Sequence, residues 1–156
     1  MSETCTGPAL SPAIHEQASW LPRRRRSAGA ARCLLREFLD AQPHSRGERF
    51  AEVGELLLSE LVANAVEHPR VPPGRLILVR FTLSAAELRI EVHDAGDGLP
   101  PAAATAEPPD PDAESGRGLF LVRQLSHRWG CLPRPGGVGK AVWCTIGPTD
   151  TKGEAA

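Results

Sequence analysis

The chain has 156 residues, 41% of them apolar, and a formal net charge of −1. That is enough for one compact domain with its own core, and the near-neutral balance gives no bulk electrostatic reason to expect a nucleic-acid or acidic-membrane partner. No apolar run approaches bilayer length and no leader pattern opens the chain, so a cytoplasmic protein is expected.

Residues 1–17 are polar, short of large apolar side chains and broken by Pro8 and Pro12, and read as a disordered tail. Ser19–Leu21 is a candidate edge strand. The run Arg23–Arg26 reads as a solvated approach to a helix, since four charges alone supply little phosphate affinity. From Ser27 onward Ala31, Leu34, Leu35, Phe38 and Leu39 recur at spacings of three and four, which predicts a helix stopped by Pro43. A second helix is predicted from about Arg46 to Glu67, with Pro69 as its stop.

Two strands follow. Ile77, Val79, Phe81 and Leu83 alternate, and after a tight connection at Ser84–Ala86, Leu88, Ile90 and Val92 alternate with Arg89, Glu91 and His93. Ala95–Ser115 carries Pro100, Pro101, Pro108, Pro109 and Pro111; a connection of that length is usually a functional lid or a disordered segment. A third helix reads from Gly116 or Gly118 to about Arg128, and Trp129–Leu132 and Ala141–Ile146 form a final hairpin. The domain is expected to span 18–147, with 148–156 a frayed tail. Helices and antiparallel strands are segregated, so the class is α+β: one sheet with helices on one face. The cysteines Cys5, Cys33, Cys131 and Cys144 show no metal or redox spacing and read as free thiols.

Three groups of residues carry chemistry. On the second helix Glu60 and Asn64 lie four apart, about 40° around the axis, on a stripe shared with Val53, Leu56 and Leu57. A carboxylate and an amide on a largely apolar helix are costly without partners, so the pair marks either a site or a stripe that surfaces near the helix end. The alternation of Leu88–Val92 places Asp94 on the inward face, where the strand enters Asp94-Ala-Gly96-Asp-Gly98. Glycines let backbone approach a ligand closely, and an ionised aspartate accepts a hydrogen bond from an amine such as that of adenine. Ser115-Gly116-Arg117-Gly118 opens a helix, where free N–H groups make an anion site to which Arg117 adds charge; a flexible hinge is the alternative. Neither G-x-x-x-x-G-K-[ST] nor G-x-G-x-x-G occurs.

In this order, Glu60-x-x-x-Asn64, Asp94-x-Gly96-x-Gly98 and Gly116-x-Gly118, the motifs resemble the N, G1 and G2 boxes of the GHKL superfamily. The stretches Leu58–Val66, Asp94–Leu99, Glu114–Leu119 and Gly139–Trp143 look like the anti-sigma-factor serine/threonine kinases and the small ATP-binding regulators of actinobacteria. The resemblance implies a two-layer Bergerat sandwich with a mixed, mainly antiparallel sheet, and ATP and Mg²⁺ as cofactors. It implies that Asn64 is the metal ligand, that Glu60 is the general base or orients the nucleophile, and that Asp94 holds adenine. Gly96 and Gly98 would shape the adenine pocket, Gly116, Arg117 and Gly118 would bind phosphate, and Thr145 would contact adenine.

The partners implied are an alternative sigma factor and a STAS-type anti-anti-sigma protein as phosphoacceptor, with a homodimer among the expected assemblies. One departure bears on activity. Glu114 stands where an arginine commonly precedes the Ser-Gly of the lid, and an acid near a γ-phosphate repels it. The alternative is therefore a non-catalytic ATP-binding module that sequesters its partner without phosphotransfer. His68 reads as a helix-end residue near the C-terminal dipole. A detached histidine-kinase catalytic domain and a DNA-binding role through Arg23–Arg26 rank below both.

Overall fold

The computed structural model describes residues 14–42, 48–67, 76–94, 117–133 and 139–147. The elements in chain order are β1 (His15–Pro22), α1 (Ser27–Asp40), α2 (Glu48–Val66), β2 (Leu76–Leu83), β3 (Leu88–Asp94), α3 (Arg117–Leu125), β4 (Arg128–Pro133) and β5 (Lys140–Ile146). The strands form one five-stranded sheet in the order β1-β2-β3-β5-β4, and every described pairing is antiparallel. The last strand in sequence is thus inserted between β3 and β4.

The helices cover one face. Cross-strand partners share a face of the sheet, and the register sets Ile90 opposite Phe81 and Cys144, with Val92 opposite Val79 and Val142. These residues join Ala31, Leu35 and Phe38 of α1, Leu57, Leu58, Leu61 and Val62 of α2, and Leu119 and Val122 of α3 in one buried cluster. Phe38 and Phe81 meet across it with ring centroids 5.7 Å apart, within the usual range for aromatic pairs. The two-layer α+β architecture read from the sequence is the one observed.

Helix α2 is the central helix, packed against α1, α3 and β3. Two polar ties fix it to α1: Arg32 Nη1 donates to Ser59 Oγ at 2.9 Å, and Arg36 pairs with Glu55. The arginine run is more than a solvated approach, because Arg23 Nε donates at 3.2 Å to the carbonyl of Ala65. That carbonyl lies in the last turn of α2, where backbone acceptors lack intrahelical donors and a cation is favoured.

Two boundaries differ from expectation. β1 begins at His15, so three residues assigned to the tail belong to the sheet. Of its inward positions His15, Gln17, Ser19 and Leu21, the first three are polar, which hides the start of the strand from a hydrophobicity pattern, whereas pairing with β2 along its whole length holds it. α3 ends at Leu125 rather than near Arg128. His127 N–H donates to the Thr145 carbonyl at 2.7 Å, which draws the chain into β4 at Arg128.

The outer face of the sheet carries a layer of its own. Arg89 stacks 4.3 Å from the Trp143 ring centroid. On its other side Trp143 lies so close to Gly130 that a Cβ there would be 2.9 Å from its ring atoms, so this position requires glycine.

Candidate functional site

Asp94 ends β3 on the helix-covered face and is 1% exposed. The alternation Leu88, Ile90, Val92, Asp94 puts it there, since a strand that buries its even-numbered residues cannot turn the last one outward without breaking the ladder. A nearly fully buried carboxylate is costly unless it has partners, and Asp94 does have an interaction.

Above it, α2 carries Glu60 and Asn64, both half-buried. Burial pushes the Glu60 carboxyl above its ordinary range, and the negative charge of Glu67 pushes it further the same way. The Asn64 Nδ2 is buried and has no hydrogen-bond partner among the described residues. α3 begins at Arg117, so Arg117 and Gly118 occupy its first turn, where N–H groups are free of intrahelical acceptors. Because α2 packs on both β3 and α3, the fold brings together the elements bearing Glu60 and Asn64, Asp94, and Arg117 and Gly118. Gly96, Gly98 and Gly116, like Glu114 and His68, lie outside the described residues.

Thr145 is not brought to this group. It stands opposite Arg89 and Arg128, on the outer face with Trp143, whereas the helix-side residues of β5 are Val142, Cys144 and Ile146. A strand residue one position out of phase with the core set points to the other side. The sequence offered no phase, because both faces of β5 are largely buried.

One residue of this group was passed over. Lys140 opens β5 directly opposite Asp94, on the same face, and is 3% exposed. Its inward phase comes from the register against Asp94 and not from the composition of β5, which is buried on both faces. Gly139 precedes it at φ 87°, a left-handed conformation that favours glycine and that leads the chain into the strand.

A separate cavity of about 400 Å³ opens between α1 and the end of α2, lined by Arg25, Ala28, Val62, Ala63, Val66 and Glu67. It lies on the α1 side of α2 and includes neither Asp94 nor Asn64.

Comparison with known proteins places this geometry. The family model of the histidine kinase-like ATPase domain matches residues 21–146. An uncharacterized sensor-like histidine kinase of Staphylococcus epidermidis (strain ATCC 12228 / FDA PCI 1200) is 32% identical over 68 residues, which is 44% of this chain and 13% of that protein. The crystal structure of the RsbU and RsbW domains of Rv1364c from Mycobacterium tuberculosis superposes with a TM-score of 0.58 at 22% identity. That match covers 86% of this chain and 32% of the other, and it shows likeness of fold. No helix among the described residues is long and apolar enough to cross a membrane. With the family match running through nearly every described element, the chain belongs to the histidine kinase-like ATPase domain family.

Proposed function

We propose that this chain is a Mg·ATP-dependent regulator of the partner-switch type, which phosphorylates a serine or threonine on a STAS-type protein and sequesters an alternative sigma factor. The observation that carries the reading is the placement of Asp94 beneath α2, with Asn64 and Glu60 one helical turn apart on that helix. Family membership implies ATP binding. The RsbW domain of a structural neighbour supports the partner class, as do the sequence motifs.

The residues present suit the ligand. Asn64 has a buried amide nitrogen without a hydrogen-bond partner among the described residues, and an amide oxygen is a ligand suited to a hard cation. Among the described residues no three His, Cys, Asp or Glu side chains converge on a metal position. Mg²⁺ commonly binds through one or two protein oxygens together with substrate phosphates and waters, and Asn64 would be that protein ligand. Bound there, Mg²⁺ would supply charge neutralisation at the phosphates.

Asp94 accepts the adenine amine and excludes guanine, which offers a carbonyl at that place. Gly96 and Gly98 shape the wall beside the base. Gly116, Arg117 and Gly118 present N–H groups and a guanidinium to the phosphates. Glu60 orients the acceptor hydroxyl or takes its proton as the oxygen attacks the γ-phosphorus, the bond from that phosphorus to the β-phosphate oxygen breaks, and ADP leaves. A general base works best with its pKa near the working pH, and burial moves Glu60 in that direction. The rest of catalysis is positioning and electrostatics, as in phosphoryl transfer generally.

Glu114 favours a second reading, in which nucleotide only stabilises a docking surface and no phosphate moves. Transfer of labelled γ-phosphate from Mg·ATP to a panel of STAS-domain proteins separates the two. Label on one member, lost in Glu60→Ala and Asn64→Ala, is expected. No label on any member, while ATP binds and Asp94→Asn abolishes that binding, would establish the non-catalytic module instead.

A further inference from the structure

We infer that Lys140 is a nucleotide-contacting residue, its ammonium donating to an acceptor of the adenine nucleotide that Asp94 holds. The inference rests on reading this pocket as an adenine-nucleotide site. It adds a cation that none of the three sequence motifs contains.

The argument begins with burial. Lysine is among the side chains least often fully buried, and when buried it is nearly always paired. Lys140 is 3% exposed, and its Nζ has no hydrogen-bond partner among the described residues. The chain uses lysine only twice, at Lys140 and Lys152, against sixteen arginines. Here it has a compact ammonium on a flexible four-carbon stem, rooted on the helix-covered face of the sheet.

Register fixes where that stem starts. Lys140 is the direct cross-strand partner of Asp94 at the mouth end of β3 and β5, and such partners have Cβ atoms about 5 Å apart. Cys131 of β4, opposite Val142 on the same face, registers both groups. Burial raises its thiol pKa most, while Lys140 lowers it and Asp94 raises it. Both charges therefore lie close to one place.

Two of the buried donors that lack partners among the described residues, Lys140 Nζ and Asn64 Nδ2, thus belong to the elements that enclose one site. A ligand rich in acceptors satisfies both, and an adenine nucleotide offers them as ring nitrogens and as phosphate oxygens.

The test is calorimetric titration of the full chain with adenosine, ADP and Mg·ATP, comparing wild type with Lys140→Met and Lys140→Gln. Methionine fills the stem's space without charge, and glutamine keeps a donor. Lys140→Met should weaken Mg·ATP at least about tenfold, with Lys140→Gln intermediate. Equal losses for adenosine and ATP would place the contact on the base; a loss confined to ADP and ATP would place it on phosphate. Either result supports the inference.

Wild-type affinity in both variants would overturn it while leaving the nucleotide site intact. Failure of the wild type itself to bind would sink the site reading and this inference together. Should the variants not fold, ¹³Cε-lysine labelling of the unaltered protein gives two signals. Mg·ATP must move that of Lys140 and leave Lys152 in place; an unmoved Lys140 signal with ATP bound overturns the inference.

Discussion

Glu60 on α2 and Glu67, the residue that follows the helix, lie seven positions apart, and the charge of the second adds to burial in lifting the pKa of the first. A carboxyl whose folded pKa is raised holds its proton more tightly in the folded state. Its ionisation therefore opposes folding once the pH rises above the ordinary glutamate range, and the penalty grows until the folded pKa is passed.

Glu60→Gln removes that penalty together with the proposed base. The variant is expected to melt roughly 1–3 °C higher at neutral pH, with the gain vanishing as the pH falls below the ordinary glutamate range. Phosphotransfer should drop by about 10²–10⁴-fold, the usual contribution of a general base, while ATP affinity stays near wild type. Thermal melts across pH, paired with transfer assays, check both halves. A variant less stable than wild type at pH 7 would contradict the electrostatic account.

Asn64→Ala should separate metal from nucleotide. Outer-shell partners of metal ligands already cost about 10–100-fold in affinity when removed, so loss of a ligand should weaken Mg·ATP by at least as much. ATP measured in EDTA should bind wild type and variant alike. Titration with and without Mg²⁺ reads the difference. An equal loss in both conditions would assign Asn64 a structural role.

Gly130→Ala should destabilise the fold by about 1–3 kcal/mol, the ordinary cost of forcing an extra carbon into a packed place. The new Cβ would meet the Trp143 ring at 2.9 Å, and Arg89 occupies a ring face at 4.3 Å, so the indole has little room to yield. Chemical denaturation gives the energy. Because this layer lies on the sheet face away from Asp94, nucleotide affinity in the folded variant should not change.

The thiols should differ sharply. Cys33 is exposed on α1, whereas burial pushes the Cys144 thiol up to about 12, with Arg89 opposing the rise. At pH 8 roughly one Cys144 in 10,000 is then ionised, and the thiolate is the reactive form. A maleimide should label Cys33 in the native protein and reach Cys144 only after denaturation; peptide mapping by mass spectrometry distinguishes them.

Much of the site was legible from local pattern. The period of two in Leu88–Val92 carried Asp94 onto the buried face, and the structure puts it there at 1% exposure. The helical spacing of Glu60 and Asn64 placed both on one stripe of α2, where both are half-buried. These signals are readable because a half-buried strand and an amphipathic helix write their geometry into the side-chain order of one segment.

Other features have no such local record. The first half of β1 has polar His15 and Gln17 at its inward positions, so its pairing with β2 reveals how far the strand extends beyond Ser19–Leu21. β5 is buried on both faces, so its composition cannot say that Thr145 turns outward while Lys140 turns in. That phase is set by the register against Asp94, and the register exists only because β5 is inserted between β3 and β4. The sequence by itself determined which segments are helix or strand and which residues stand inward on each half-buried element, since those depend on neighbours a few positions apart. The tertiary structure alone decided which strands lie side by side, and with them that a buried lysine faces the aspartate, because cross-strand pairing joins residues far apart in the chain.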